Sequence, residues 1–251
     1  MGKNRSGGTT DDDVPRCQNS TKRNTRQAMK IERNWTFKSQ EVADHFDDHV
    51  REQLPWYDLA SESVVHFVRH YLPDNGLIYD IGASTGNFYK RLYDLINDRE
   101  ATYVAIDNSE EMIDKWKDIY LESNYRLHNA DAHTFNYKHF DCGILFLVLM
   151  FIPYANRKDL IEELWSKCRS GGAILIVDKE EQPHGYYGTA LHRLTLQGKI
   201  NQGAQPKDII DKELSLQGVQ RPVRFHELLK PYNPKQFFRF GEFMGVLLEK
   251  N

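Results

Sequence analysis

Two glycines and two acids carry the first chemical signal in this chain. Gly82 and Gly86 stand in Ile78-Tyr79-Asp80-Ile81-Gly82-Ala83-Ser84-Thr85-Gly86-Asn87-Phe88, where a short apolar strand runs into a turn and then a helix. Glycine lacks a Cβ, so the backbone at both positions can turn sharply and approach a ligand closely. The free amides at the start of the next helix point back at that turn. Asp80 ends the strand, where its carboxylate can accept a hydrogen bond from an amino or hydroxyl group. Tyr103-Val104-Ala105-Ile106-Asp107, about twenty residues on, is a second apolar strand ending in an acid, placed by one βαβ unit to bind ribose hydroxyls. The pattern Asp-x-Gly-x-x-x-Gly is not the dinucleotide fingerprint Gly-x-Gly-x-x-Gly, and no Lys-Ser/Thr follows as a phosphate-binding loop requires. An ordinary strand-to-helix turn with two glycines is the other reading of the same residues.

The rest of the chain must position these groups. From Gly76 onward strand-like and helix-like segments alternate, which predicts an α/β fold with a mostly parallel sheet. Strands are expected at 77–81, 103–106, 125–128, 144–149 and 173–177; the fourth is apolar throughout, as a strand covered on both faces should be. Ser170-Gly171-Gly172 is expected to turn into the fifth. Ser109 can cap a helix that buries Met112, Ile113 and Trp116. Residues 236–240 and 244–249 are expected to pair across a short turn at Gly241-Glu242. Ahead of the first strand, apolar residues recur at helical spacing from Phe37 to Leu54, stopped by Pro55, and again from Tyr57 to Leu72. Two helices over 35–75, capping a cleft, are expected. The long polar insertion 180–229 holds no readable pattern and is expected to build an acceptor pocket.

Composition narrows the classes. The chain has 251 residues, enough for one α/β domain, with 40% hydrophobic and 27% charged residues. Net charge is −3, so no global basic field advertises nucleic acid. The charge is uneven: residues 1–34 carry eight Lys/Arg against four acids and almost nothing apolar. That segment is expected to be a disordered basic tail, its plain reading a solvated one, its other reading a basic half that touches tRNA, another nucleic acid or an acidic partner. Three widely spaced cysteines suggest neither a disulfide framework nor a zinc knot. The longest apolar run, 142–152, is too short to span a bilayer, and the N-terminus shows no apolar core of a signal peptide; a cytoplasmic protein without membrane contact is expected. His45 with His49, and His66 with His70, sit four apart on helices but lack a third ligand, so no metal is expected.

Ligands of open α/β sheets sit outside the carboxyl ends of the strands, which gathers Asp80, Gly82, Asp107, Asp131, Phe146 and Asp178 around one crevice. The glycine turn resembles motif I of the class I S-adenosylmethionine (SAM) methyltransferases. That resemblance implies SAM as cofactor and a Rossmann-like class I methyltransferase fold, a mostly parallel seven-stranded sheet with helices on both faces. It also implies that Asp80, Gly82, Ala83, Ser84 and Gly86 accommodate the methionine part, that Asp107 and Asn108 hold the ribose, and that Asp131 and Ala132 face the adenine. Met112 would pack on the adenine face and Phe146 would line the crevice. For Asp131 a turn cap, and for Met112 plain core packing, are the alternatives. After the fourth strand, 145–153 lacks the Asp/Asn-Pro-Pro-aromatic of amino methyltransferases of nucleic acid, and no Pro-Cys nucleophile is present.

A longer stretch is similar to carboxy-SAM synthase: Phe46 with Pro55-x-Tyr57, Tyr79 to Ser84, Ala105 to Ile113, Gly171-Gly172-Ala173 followed by Asp178-Lys179, and Phe240-Gly241 to Leu248. The similarity covers about residues 40–250. Those enzymes make carboxy-SAM from SAM and prephenate, for a partner that modifies wobble uridine in tRNA. The chain departs from that family at Lys212-Glu213, where the family has Lys-Arg, and at Phe146, where it has asparagine. An acid repels the carboxylate that the arginine would clamp; Arg193, Arg221 and Arg224 are the cations that could stand in. The expectation is therefore SAM-dependent methyl transfer to a small-molecule or tRNA-pathway acceptor. Carboxy-SAM synthesis comes second and a non-catalytic SAM-binding protein third; a homodimer is a further expectation. Tyr57, Lys179 and His184 are the candidates to line the acceptor side, each with an exposed loop residue as its alternative.

Overall fold

A computed structural model describes residues 36–117, 125–182 and 184–251. Among them seven strands form one sheet in the order β3-β2-β1-β4-β5-β7-β6. The strands β1 (Leu77–Ile81), β2 (Thr102–Asp107), β3 (Tyr125–Asn129), β4 (Phe140–Phe146) and β5 (Cys168–Lys179) run parallel. The closing pair, β6 (Lys235–Phe240) and β7 (Phe243–Glu249), is antiparallel, with β7 inserted between β5 and β6. The helices are α1 (Gln40–Gln53), α2 (Tyr57–Tyr71), α3 (Asn87–Asp98), α4 (Glu110–Lys117), α5 (Tyr154–Lys167), α6 (Tyr186–Asn201), α7 (Pro206–Ser215) and α8 (Phe225–Leu229). The basic segment 1–34 lies outside the described residues, and so does Trp35.

Apolar residues fill both faces of the sheet because successive strand residues point to opposite sides. Ala173, Leu175 and Val177 of β5 pack with Val64, Val68, Leu92 and Ile96 of α2 and α3. Ile174 and Ile176 pack on the other face with Leu160, Ile161 and Leu164 of α5 and with Phe225 and Leu229 of α8. This two-sided burial is why the central strands read as unbroken apolar runs. The two leading helices differ in role. The α1 helix overhangs the carboxyl ends of the strands, whereas α2 packs flat on the sheet, its Val64, Val65 and Val68 buried.

The fourth strand begins and ends earlier than 144–149. It spans Phe140–Phe146, after which Leu147 adopts φ 61° and Leu149–Phe151 form a short 3-10 turn. Leu, Val, Met and Phe continue the apolar pattern across that break, so composition hides it. The fifth strand starts early, at Cys168, and takes in Ser170-Gly171-Gly172. A pairing irregularity between Phe140 and Cys142 accommodates this, and a Cβ on Gly172 would lie 2.4 Å from the Asp141 carbonyl. The insertion holds three helices, α6 to α8, that the sequence left unread.

Arg157 ties the insertion to the loop after β4. It is buried on α5, and its guanidinium donates to the carbonyls of Ile152 (2.9 Å), Arg221 (2.7 Å), Pro222 (3.1 Å) and Met150 (3.4 Å). Burial lowers its pKa, opposed by the Asp178 charge. Truncation would take this donor from the Ile152, Arg221 and Pro222 carbonyls, while Met150's keeps the Arg221 amide at 2.8 Å, and an unmet buried acceptor is more costly than the bond it replaces. Arg157→Ala is therefore expected to destabilise the fold by about 2–4 kcal/mol, read from its urea midpoint; a loss under about 1 kcal/mol would remove this tether from the account.

Candidate active site

The loop after β1 is shaped by two hydrogen bonds and a left-handed turn. Gly82 has φ 73° and Gly86 φ 83°; the amides of Gly82 and Ala83 both donate to the Ile106 carbonyl of β2, at 2.8 and 3.0 Å. Ser84, with φ 49°, donates its amide to Asp107 Oδ2 at 2.8 Å, and Asp107 Oδ1 accepts the Ser109 amide at 2.9 Å. Burial pushes the Asp107 carboxyl above the usual range, against the pull of these amides. Ser109 Oγ accepts the Met112 amide, the expected helix cap, and donates to the Phe37 carbonyl at 2.8 Å.

A cavity of about 240 Å³ opens beside this loop. Nine of the sequence candidates line it: Gly82, Ala83, Ser84, Asp107, Asn108, Met112, Asp131, Ala132 and Phe146. Two do not. Gly86 lies under the Trp116 ring, where a Cβ would be 3.0 Å from the indole. Asp80 is buried beneath the loop and accepts the Tyr103 hydroxyl. Its β1 register beside Ala105 and Ile144 turns it into the sheet layer rather than the crevice. Asp178, also expected at the crevice, is fully buried; its Oδ2 accepts the amides of Val148 (3.0 Å) and Met150 (3.3 Å). It fixes the loop after β4, whose Leu147, Val148 and Met150 do line the cavity.

Burial raises the Asp80 pKa to about 7, opposed by the Tyr103 bond and helped by Asp107. The unfolded chain releases this proton near its ordinary value while the folded chain keeps it. Stability from this group is thus full below about pH 4 and falls as pH rises toward 7. Asp80→Asn cannot ionise. Its urea midpoint relative to wild type should be highest near pH 8, with the gap narrowing by about pH 5. Asp178, His49 and Lys212 also titrate with shifted pKa values but are common to both proteins. A gap that does not change with pH would refute the buried-acid account.

Of the other three candidates, Tyr57 and Lys179 line the cavity, whereas His184 is exposed and does not. Tyr57 packs edge-on to Phe146 with ring centroids 5.3 Å apart, and burial pushes its hydroxyl pKa well up, so it stays protonated. Phe88 and Trp56 complete an aromatic wall around Phe146, at 5.2 and 6.4 Å. The α1 helix contributes Phe46, His49, Val50 and Gln53. It is fastened to the loop by Thr85 Oγ1 donating to Asp47 and to α4 by an ion pair of Lys115 with Asp44. From the insertion come Thr195, Lys199, Lys212 and Glu213. Lys199 was not singled out by sequence; as one polar residue on a helix it carried no distinguishing signal. Arg193, Arg221 and Arg224 do not line the cavity; Arg221 stacks on Tyr154 and Arg224 pairs with Glu181. Among the described residues, no helix is long and apolar enough to cross a membrane.

These residues fit SAM. Gly82 has no space for a Cβ, which would lie 2.5 Å from Val148 Cγ2, so its bare backbone faces the cavity that it lines, where the end of the cofactor would lie against it. The Asp107 carboxylate sits at the β2 end, and Met112 and Ala132 present apolar surface beyond it. A family model described as "Methyltransferase domain" matches residues 78–172. The carboxy-S-adenosyl-L-methionine synthase of Staphylococcus epidermidis is 26% identical over 222 residues, covering 86% of this chain and 97% of that relative. The plantazolicin methyltransferase BpumL in complex with SAH superposes with TM-score 0.57 at 15% identity, covering 84% of this chain and 90% of that one. A putative SAM-dependent methyltransferase from Methanococcus maripaludis superposes with TM-score 0.56 at 17% identity, covering 88% and 98%. Sheet order and glycine loop are those of the class I SAM-dependent methyltransferase fold, and residues 78–172 match a methyltransferase domain.

Proposed function

We propose that this chain transfers the methyl group of SAM to a small organic acceptor held between α1 and the insertion helices. One observation carries the reading. A single cavity runs from Gly82, Asp107 and Asp131 to Tyr57, Phe146, Lys179 and Lys199. The cofactor supplies an electrophilic methyl on a sulfonium. What the chain does is positional: Asp107 and the loop amides fix the donor end, and the aromatic wall around Phe146 excludes water where donor and acceptor meet. Tyr57 keeps its proton and acts as a hydrogen-bond donor rather than a base. Lys212, whose pKa burial lowers to about 5, offers an uncharged amine for an acceptor that must lose a proton. The basic residues ahead of Trp35 favour an additional contact with tRNA or another nucleic acid, and the reading places the protein in the cytoplasm.

Carboxy-SAM synthesis is the second reading. The Staphylococcus epidermidis relative bears that name, and the match spans nearly its whole length. One experiment separates the two. Purified protein is incubated with SAM plus a metabolite extract, and in parallel with SAM plus prephenate, and the cofactor products are identified by mass spectrometry. S-adenosylhomocysteine formed with extract supports methyl transfer. Carboxy-SAM formed with prephenate promotes the second reading. Failure to bind SAM in calorimetry sinks both.

A further inference from the structure

The insertion, the end of β5 and the turn between β6 and β7 bring opposite charges together beside the cavity. Lys199 Nζ of α6 lies 3.2 Å from Glu213 Oε1 of α7, and Lys179 Nζ at the end of β5 lies 3.9 Å from Glu213 Oε2. Lys179 also faces Glu242 at 4.0 Å, in the turn between β6 and β7. Both lysines are at least nine-tenths buried, so their ammonium groups see little solvent, while the Glu213 side chain stays 40% exposed at the edge of the cluster. Burial pushes the Glu213 carboxyl up, but Lys179 and Lys199 outweigh it and hold it below its ordinary value. Lys212, lowered to about 5 by burial beside Lys199, adds no charge at neutral pH, and His49, lowered to about 4, adds none either. Two ammonium groups thus meet two carboxylates. Gln53 of α1, buried and lining the same cavity, has a side-chain oxygen with no hydrogen-bond partner.

From this geometry we infer that Glu213 is a specificity-determining residue: by offsetting Lys199 and Lys179 it sets the acceptor pocket for a molecule of zero net charge that presents an amine or hydroxyl to Gln53, and against a free carboxylate anion. The inference deepens the methyl-transfer reading and rests on it. Without Glu213 the same lysines, in a site of low effective dielectric, would form an anion trap. With it, an incoming carboxylate must either displace a formed ion pair or sit beside a like charge.

The test is anion binding, read without turnover. Prephenate, a dianion, is titrated by calorimetry into wild type, Glu213→Gln and the double variant Glu213→Gln/Lys199→Gln, each with and without S-adenosylhomocysteine. Wild type should bind prephenate weakly. Glu213→Gln should bind it at least about tenfold more tightly, and the double variant should return toward wild type, since the added affinity depends on the freed lysine. Glu213→Ala guards against a folding defect particular to glutamine. Prephenate bound as tightly by wild type as by Glu213→Gln would overturn the inference, as would no gain in either Glu213 variant. A separate SAM titration isolates the underlying reading: its failure removes the methyl-transfer proposal, while the prephenate comparison on ligand-free protein still decides the role of Glu213.

Discussion

Gly82→Val is expected to reduce SAM affinity by at least about a hundredfold, because the position forbids a branched side chain twice over. Its φ of 73° lies in the left-handed region, open to glycine and strained for a β-branched residue. A Cβ there would also lie 2.5 Å from Val148 Cγ2, and Val148 is itself a stiff branched side chain. The loop cannot swing away without breaking the bonds from the Gly82 and Ala83 amides to Ile106. Either response moves the wall of the cavity that these residues line. Gly82→Ala carries the same conflict with less bulk and should lose less. Calorimetry with S-adenosylhomocysteine measures both, and circular dichroism checks that each variant is folded. Wild-type affinity in a folded Gly82→Val would remove this loop from the cofactor site.

Asp107→Ala should weaken SAM by about 3 kcal/mol, close to a hundredfold. Asp107 does two things at once. Its two oxygens hold the amides of Ser84 and Ser109, so it sets the shape of the glycine loop and the start of α4. It also lines the cavity at the β2 end, where lone pairs not used by those amides can take ribose hydroxyls. Alanine removes both roles. Asparagine keeps the shape but turns an NH₂ toward an amide that needs an acceptor, so Asp107→Asn should fall nearer to alanine than to wild type. An asparagine variant with unchanged affinity would show that neither the charge nor the second oxygen matters, and the ribose assignment would fail.

Much of the fold was legible because its signals are local. Strands such as β1 and β2 are apolar runs bounded by glycine, Pro-Asp-Asn or an acid, and Ser109 announces the helix behind it. The glycine-loop side of the cavity was legible for the same reason: Gly82, Ser84 and Asp107 lie within one βαβ unit and Met112 on the helix just after it, so their spacing encodes their proximity. The break after Phe146 was not, since Leu147 to Phe151 keep the apolar composition while a positive φ and the carboxylate of Asp178, some thirty residues away, redirect the chain. Asp80 and Asp178 show a second limit. Being at a strand end places an acid near the crevice, but which layer it enters depends on register and on the nearest donors, here Tyr103 and the backbone amides of Val148 and Met150. The charged side of the cavity was the least readable. Lys179, Lys199, Glu213 and Glu242 come from β5, α6, α7 and the final turn, so only tertiary packing makes them neighbours. The Glu213 argument from sequence treated that acid as facing the ligand alone; the structure shows it already engaged by two cations.

The place of β7 has a consequence for how the protein is made. Although it follows the other six strands in the chain, it lies inside the sheet, hydrogen-bonded to β5 on one side and β6 on the other. A nascent chain that has emerged only as far as Phe240 therefore has an exposed β5 edge and a β6 strand with nothing to pair with. Unpaired edges of that kind invite pairing with other chains. The sheet closes only when residues 243–249 leave the ribosome, so a stalled or shortened product keeps the glycine loop and Asp107 in its sequence yet exposes the apolar flank of β5. Such fragments are substrates for chaperones and proteases rather than weak versions of the enzyme.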